Sequence, residues 1–142
     1  MAKQLNIFLE NRPGRLASVT EILCTNGVNI RAITIQDRGE FGLMKLLVDK
    51  PDQAYLLFSE RGFACALKDV LAILIEDKPG GLHRLSLVFQ KHRINVLDGY
   101  GFVVEPGKSA VWCAQVDDPE AIRDVVQREG FRVLEDSALY AL

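Results

Sequence analysis

The chain has 142 residues, 49% of them hydrophobic and 25% charged, with a formal net charge of −2. This is the composition of a globular protein and excludes a disordered or fibrous one, while the slight negative charge leaves no electrostatic footprint for a nucleic acid. The longest apolar runs fall far short of the roughly 18 residues a membrane-spanning helix needs.

Met1-Ala2-Lys3-Gln4 leads directly into a strand pattern without a signal-peptide core, so a cytoplasmic location is expected. Leu5, Ile7 and Leu9 alternate with Asn6, Phe8 and Glu10, the period of a half-buried strand. Leu16, Val19, Ile22 and Leu23 then recur at helical spacing, and Asn26-Gly27 supplies a helix stop. Residues from Ile30 to Gln36 and from Leu43 to Val48 predict a hairpin across an Asp37–Gly42 turn. A second helix follows over Asp49 to Glu60, with Pro51 in its first turn, and Phe63 to Leu67 reads as a closing strand.

The same series then begins again. Leu71, Ile73 and Ile75 take the places of Leu5, Ile7 and Leu9; Leu82, Leu85, Phe89 and His92 line one helix, and Ile122, Val125 and Val126 line another. Pro13-Gly14 recurs as Pro79-Gly80 and Val28-Asn29-Ile30 as Ile94-Asn95-Val96, both 66 residues on. Val48-Asp49-Lys50-Pro51 and Gly62-Phe63 recur as Val116-Asp117-Asp118-Pro119 and Gly130-Phe131, both 68 residues on. One insertion of two residues explains the change of register, and Glu105-Pro106-Gly107-Lys108-Ser109 is where it should lengthen a hairpin turn. The chain is a duplication, with repeats expected over 1–68 and 69–142 and only Lys68-Asp69 as a polar break between them. Each repeat reads as βαββαβ, the ferredoxin-like arrangement: an α+β fold whose four-stranded antiparallel sheet carries both helices on one face. On the opposite face of the second repeat, Ala72, Leu74, Val111 and Cys113 form an apolar set, which predicts a homodimer interface or burial by the first repeat.

Asn-Arg-Pro-Gly before the first helix reads as a turn, since Asn starts turns, Pro presets φ and Gly relieves crowding. Its retention in both repeats suggests more. Each repeat joins a short polar residue (Asn11, Asp77) to Pro-Gly, to a leucine two residues on (Leu16, Leu82), and to an Asn at the start of the second strand (Asn29, Asn95). A helix start offers unpaired N–H groups and partial positive charge to a carboxylate. Glycine admits a ligand close to the backbone, and an Asp or Asn can hold an ammonium group. That combination suits a small zwitterion.

These residues carry a resemblance. "ENRPGRL…NGVNIRAITIQ" resembles the ACT domain, most closely the serine-binding regulatory domain of D-3-phosphoglycerate dehydrogenase, and "DKPGGLHRLS…RINVLDGY" resembles a more diverged copy. The resemblance implies a stand-alone tandem ACT protein that binds a small amino acid at repeat or subunit interfaces and reports its level to a separate metabolic enzyme. The implied ligand positions are Asn11, Pro13, Gly14, Leu16 and Asn29, and in the second repeat Asp77, Gly80, Leu82 and Asn95.

Catalytic constellations are scarce. His83 and His92 are nine residues apart on one helix, unlike a metal-binding HExxH pair, and no nucleotide-binding or nucleophile-elbow motif occurs. Cys24, Cys65 and Cys113 lack CxxC spacing and read as reduced, mostly buried thiols. No enzyme activity, cofactor or metal is therefore expected. The competing readings are a ligand-free assembly module, for which the Pro-Gly junctions are only turns, and a small ferredoxin-like enzyme.

Overall fold

The computed structural model describes residues 1–10 and 12–142; Asn11 lies outside the described residues. The chain divides into two units, one of Lys3–Lys68 and one of Met1–Ala2 with Asp69–Leu142.

The first unit contains β1 (Ala2–Leu9), α1 (Arg15–Thr25), β2 (Ile30–Asp37), β3 (Gly42–Val48), α2 (Pro51–Glu60) and the opening residues of β4 (Ala64–Glu76). Its strand order is β2-β3-β1-β4. Both β1 and β2 pair antiparallel to β3, so they run parallel to each other and α1 is the crossover between them. The apolar stripe anticipated for α1 closes onto the sheet: Val19 and Leu23 meet Leu5, Ile7, Met44, Leu46 and Val48, with Ala54 and Phe58 arriving from α2. Fully buried Phe58 meets Phe63 edge-on at 5.3 Å between ring centres. The helix stop acts as expected: Gly27 takes φ +66°, and Val28 N–H bonds back to Leu23 C=O at 2.9 Å.

The second unit follows the same plan with the rest of β4, α3 (Gly81–Lys91), β5 (Asp98–Glu105), β6 (Ser109–Gln115), α4 (Pro119–Arg128) and β7 (Arg132–Leu134). Its order, β7-β4-β6-β5, is the same topology. A short helix, α5 (Asp136–Tyr140), completes the chain. Leu71, Ile73, Leu85, Phe89, Ala114, Val116, Val126 and Val133 form its core.

Four expectations need correction. Lys68 and Asp69 do not break the chain's extended course, because β4 continues through them from Ala64 to Glu76. β1 is buried on both faces at its centre. Asn6, set by the alternation on the open face of a half-buried strand, is buried together with Gln4, whose Nε2–H donates to Asn6 Oδ1 at 2.7 Å, as interior polar groups require. The two inserted residues lengthen the arms of the β5–β6 hairpin rather than its loop. Strand pairing continues past Val103↔Ala110 to Glu105↔Ser109 across a bulge, and a tight turn with Gly107 at φ +77° closes it. Of the three thiols only Cys113 is buried; Cys65 is partly so and Cys24 is exposed.

Ala72, Val111 and Cys113 are buried in the isolated chain, and Leu74 partly so. That face is therefore no free apolar patch. Burial pushes the Cys113 thiol up to about 12, against the lowering effect of its bond to Tyr100, and also raises the Tyr100 phenol.

Candidate functional site

The two Pro-Gly junctions are built alike. Gly14 and Gly80 precede α1 and α3 at φ +88° and +91°, a left-handed conformation that a side chain would strain. Each junction closes with the same bond, Arg15 N–H to Arg12 C=O at 3.2 Å and Gly81 N–H to Lys78 C=O at 3.0 Å. No side chain among the described residues caps either helix. Among the described residues each start thus keeps unpaired amides, with the roughly half-unit positive charge of a helix N-terminus.

At the first junction the backbone opens onto a cleft of about 250 Å³, lined by Leu9, Glu10, Arg12, Pro13, Gly14, Arg15, Leu16, Ile35, Gly42, Leu43 and Met44. Pro13, Gly14 and Leu16 of the expected set meet here. The polar wall is charged: Glu10 pairs with Arg12 at 3.2 Å and with Arg15 at 3.7 Å. Arg15 Nε is buried yet makes no hydrogen bond among the described residues. The opposite wall is apolar, with Leu16 and Ile35 retaining 45% and 48% exposure, unusual for large aliphatic groups. Sequence reasoning missed Arg12, Arg15 and Ile35. The two arginines flank Pro-Gly directly, and Ile35 shares the β2 face of Ile33 two residues away.

Asn29 is not in this cleft. β2 begins level with Val48 of β3, whereas the cleft opens where Leu9 and Gly42 pair, six residues along β3. At strand rise that separation is about 20 Å. Asn29 is exposed, and its backbone N–H and C=O are latched to Asp49, the former to the carboxylate at 2.9 Å and the latter to the N–H at 3.0 Å. Asn95 is likewise exposed.

The second junction has different chemistry. The Asp77 carboxylate accepts the Gly107 N–H at 2.7 Å, and the Asp77 N–H donates to Lys108 C=O at 3.1 Å. Gly80 and Leu82 are exposed. The cleft beside α3 lies toward β7 instead and is lined by Glu76, Gly81, Arg84, Lys108, Phe131 and Arg132 among others. Arg84 is engaged there, bonded to Glu76 at 3.0 Å and set over the Phe131 ring at 5.6 Å. Lys78, then Arg84, hold the Glu76 carboxyl below its ordinary range.

Neither histidine lines either cleft. His92 ends α3 and contacts Glu129 at 2.8 Å, and Lys91, then His92, hold that carboxyl below its usual range. Among the described residues no group of three or more His, Cys, Asp or Glu could hold a metal ion. No helix among them is long and apolar enough to cross a membrane.

A family model described as an ACT domain pair matches residues 1–142. The crystal structure of protein BT0572 from Bacteroides thetaiotaomicron is similar at 30% identity over 99% of this chain and 96% of that one, with a TM-score of 0.91. The ligand-free regulatory subunit of aspartate kinase from Thermus thermophilus matches at 15% identity over 91% and 93% of the two chains, with a TM-score of 0.65. The corresponding subunit from Thermus flavus matches at 14% identity over 89% and 91%, with a TM-score of 0.58. At those identities the two kinase subunits share the fold alone. No curated protein matches the sequence.

Proposed function

The chain belongs to the ACT domain family, as a pair of such domains over residues 1–142, and from this premise we propose that it is a regulatory module that binds an amino acid in the first-unit cleft. One observation carries the reading: opposite charges and an apolar wall share a small cleft at a helix start that no described side chain caps. Arg15 with its orphaned Nε, Arg12 and the first-turn amides suit a carboxylate. Glu10, together with Asn11, suits the ammonium group. Leu9, Leu16, Ile35 and Met44 suit an aliphatic side chain. Pockets for drug-sized ligands span about 300–1,000 Å³, so a cleft of about 250 Å³ favours a smaller molecule.

Asn29 enters this reading through a second copy of the chain. β2 ends the strand order, so among the described residues it pairs with a strand on one side only, and Ile33 and Ile35 on it are exposed. Two β2 edges paired antiparallel about a twofold axis set the start of one strand beside the end of the other. Asn29 of one copy then faces the cleft of its partner. The proposed assembly is a homodimer, located in the cytoplasm. Its regulated target is a metabolic enzyme on a separate polypeptide, and the module itself performs no turnover.

The test is a melting-temperature screen against the twenty amino acids, followed by sedimentation with and without the best ligand. A shift with one or a few chemically related amino acids, lost in Arg15→Ala and weakened in Asn11→Ala and Asn29→Ala, supports the reading. No shift with any amino acid refutes it.

A further inference from the structure

The two repeats can be superposed in register from their strand pairings alone. Ile33 faces Leu46 and Ile35 faces Met44 across β2 and β3; Gly99 faces Ala114 and Gly101 faces Trp112 across β5 and β6. Where the first repeat has Ile35 and Met44 lining its cleft, and Ile33 next along β2, the second has two glycines and a tryptophan. The indole lies across both glycines. A methyl group added at Gly99 would sit 2.5 Å from Trp112 Cζ2, and one at Gly101 3.2 Å from Cε3. Trp112 therefore fills the volume that in the first repeat is open beside Ile35.

The charged wall is gone as well. Gly81 stands where the first repeat has Arg15, and no larger residue fits: an added methyl would lie 2.0 Å from the Glu76 carbonyl oxygen. Lys78, the counterpart of Arg12, is paired with Glu76, and the Asp77 carboxylate is committed to Gly107. The guanidinium is missing, the apolar recess is occupied, and the carboxylate meant for an ammonium group is already bonded.

We propose that the chain has one amino-acid site, in the first repeat, and that the second repeat is held closed by the Trp112 indole seated where a ligand's side chain would lie. Ligand occupancy saturates at one per chain, two per homodimer, and the second repeat serves as scaffold. This inference rests on the proposed amino-acid binding, but the closure has a readout of its own.

Two measurements on the full chain test it. In the unliganded protein, NMR should place the α-protons of Gly99 and Gly101 far upfield, because both lie against the indole face, and Trp112→Met should abolish the displacement. Calorimetric titration with the amino acid that gives the largest melting shift should saturate at one per chain. Binding should weaken at least tenfold in Arg15→Ala and be unchanged in Asp77→Asn. Trp112 is the single tryptophan, so its fluorescence should stay silent during the titration. Glycine resonances at ordinary positions overturn the closure. Two ligands per chain, or fluorescence-detected binding that survives Arg15→Ala, overturn the single site. If no amino acid binds, the functional reading of the first repeat falls, while the glycine resonances still decide whether the second is closed.

Discussion

Replacing Arg15 with alanine separates ligand binding from folding, because its guanidinium contributes little to the unliganded protein. It lies 3.7 Å from the exposed Glu10 carboxylate, and its Nε makes no hydrogen bond among the described residues. Exposed ion pairs are worth about 0–1 kcal/mol, so the unliganded melting temperature should fall by no more than about 4 °C in a chain of this size. The liganded protein should respond differently. A ligand at about 100 times its dissociation constant stabilises the native state by roughly 2.7 kcal/mol, and about 2–4 °C per kcal/mol turns this into a shift of about 5–10 °C. Losing a charge-assisted hydrogen bond to the carboxylate costs about 1.5–3 kcal/mol, or roughly 10- to 150-fold in affinity. At the same ligand concentration the stabilisation then drops to about 0.3–1.4 kcal/mol, a shift of about 1–5 °C. Differential scanning fluorimetry on both proteins, with and without ligand, reads all four values. An undiminished shift in Arg15→Ala, or an unliganded melting temperature that collapses, would refute the assignment of Arg15 to the ligand.

Asp77→Ala should behave in the opposite way, since it removes the acceptor of the Gly107 N–H. A loss of about 1–3 kcal/mol, equal with and without amino acid in chemical denaturation, is expected. Gly81→Ala pushes a methyl group to 2.0 Å from a backbone oxygen that cannot yield cheaply; a loss of at least about 1–3 kcal/mol is expected, against a smaller one for Leu82→Ala, whose side chain keeps 41% exposure. For pH, Lys91 and His92 depress the folded-state Glu129 carboxyl, so its contribution is complete above the ordinary glutamate range and lost as pH falls through the folded value. Glu129→Gln should therefore lower stability at neutral pH and flatten the acid limb of a denaturation-versus-pH curve below about pH 4.5. An unchanged acid limb would count against that pairing.

The repeat, its βαββαβ order and the helix-facing core were legible because they depend on local signals: period-two and period-3.6 apolar spacing, Asn26-Gly27, and Pro51 in the first turn of α2. The continuation of β4 was not, because Lys68-Asp69 resembles a turn to any local rule, and only strand pairing settles its backbone. The buried Gln4 and Asn6 misled in the same way: alternation shows which residues share a face, not whether both faces are covered. α5 was missed because five residues with a single buried leucine, Leu139, show no period. At the cleft, Pro13, Gly14 and Leu16 were visible as a motif, whereas Arg12, Arg15 and Ile35 become ligand-facing candidates only when β1, β2 and α1 are assembled. Nor does the sequence show that the Asp77 carboxylate accepts an N–H from 30 residues away, in a turn whose position depends on the hairpin's register.

The bond between Asp77 and Gly107 also bears on how the two halves of the duplication drifted apart. The longer hairpin of the second half places an amide at its tip, and an acceptor-only carboxylate at position 77 receives it. The longer hairpin and the acidic residue thus meet in one bond, which is lost when either is changed alone. A chimera that moves the longer hairpin into the first half without a carboxylate at position 11 would leave the transplanted glycine amide without this acceptor. One that restores the shorter hairpin to the second half would strand the Asp77 carboxylate. The halves share a plan but are no longer interchangeable parts, and the boundary of exchange between them runs through this pair rather than along the line where the repeats meet.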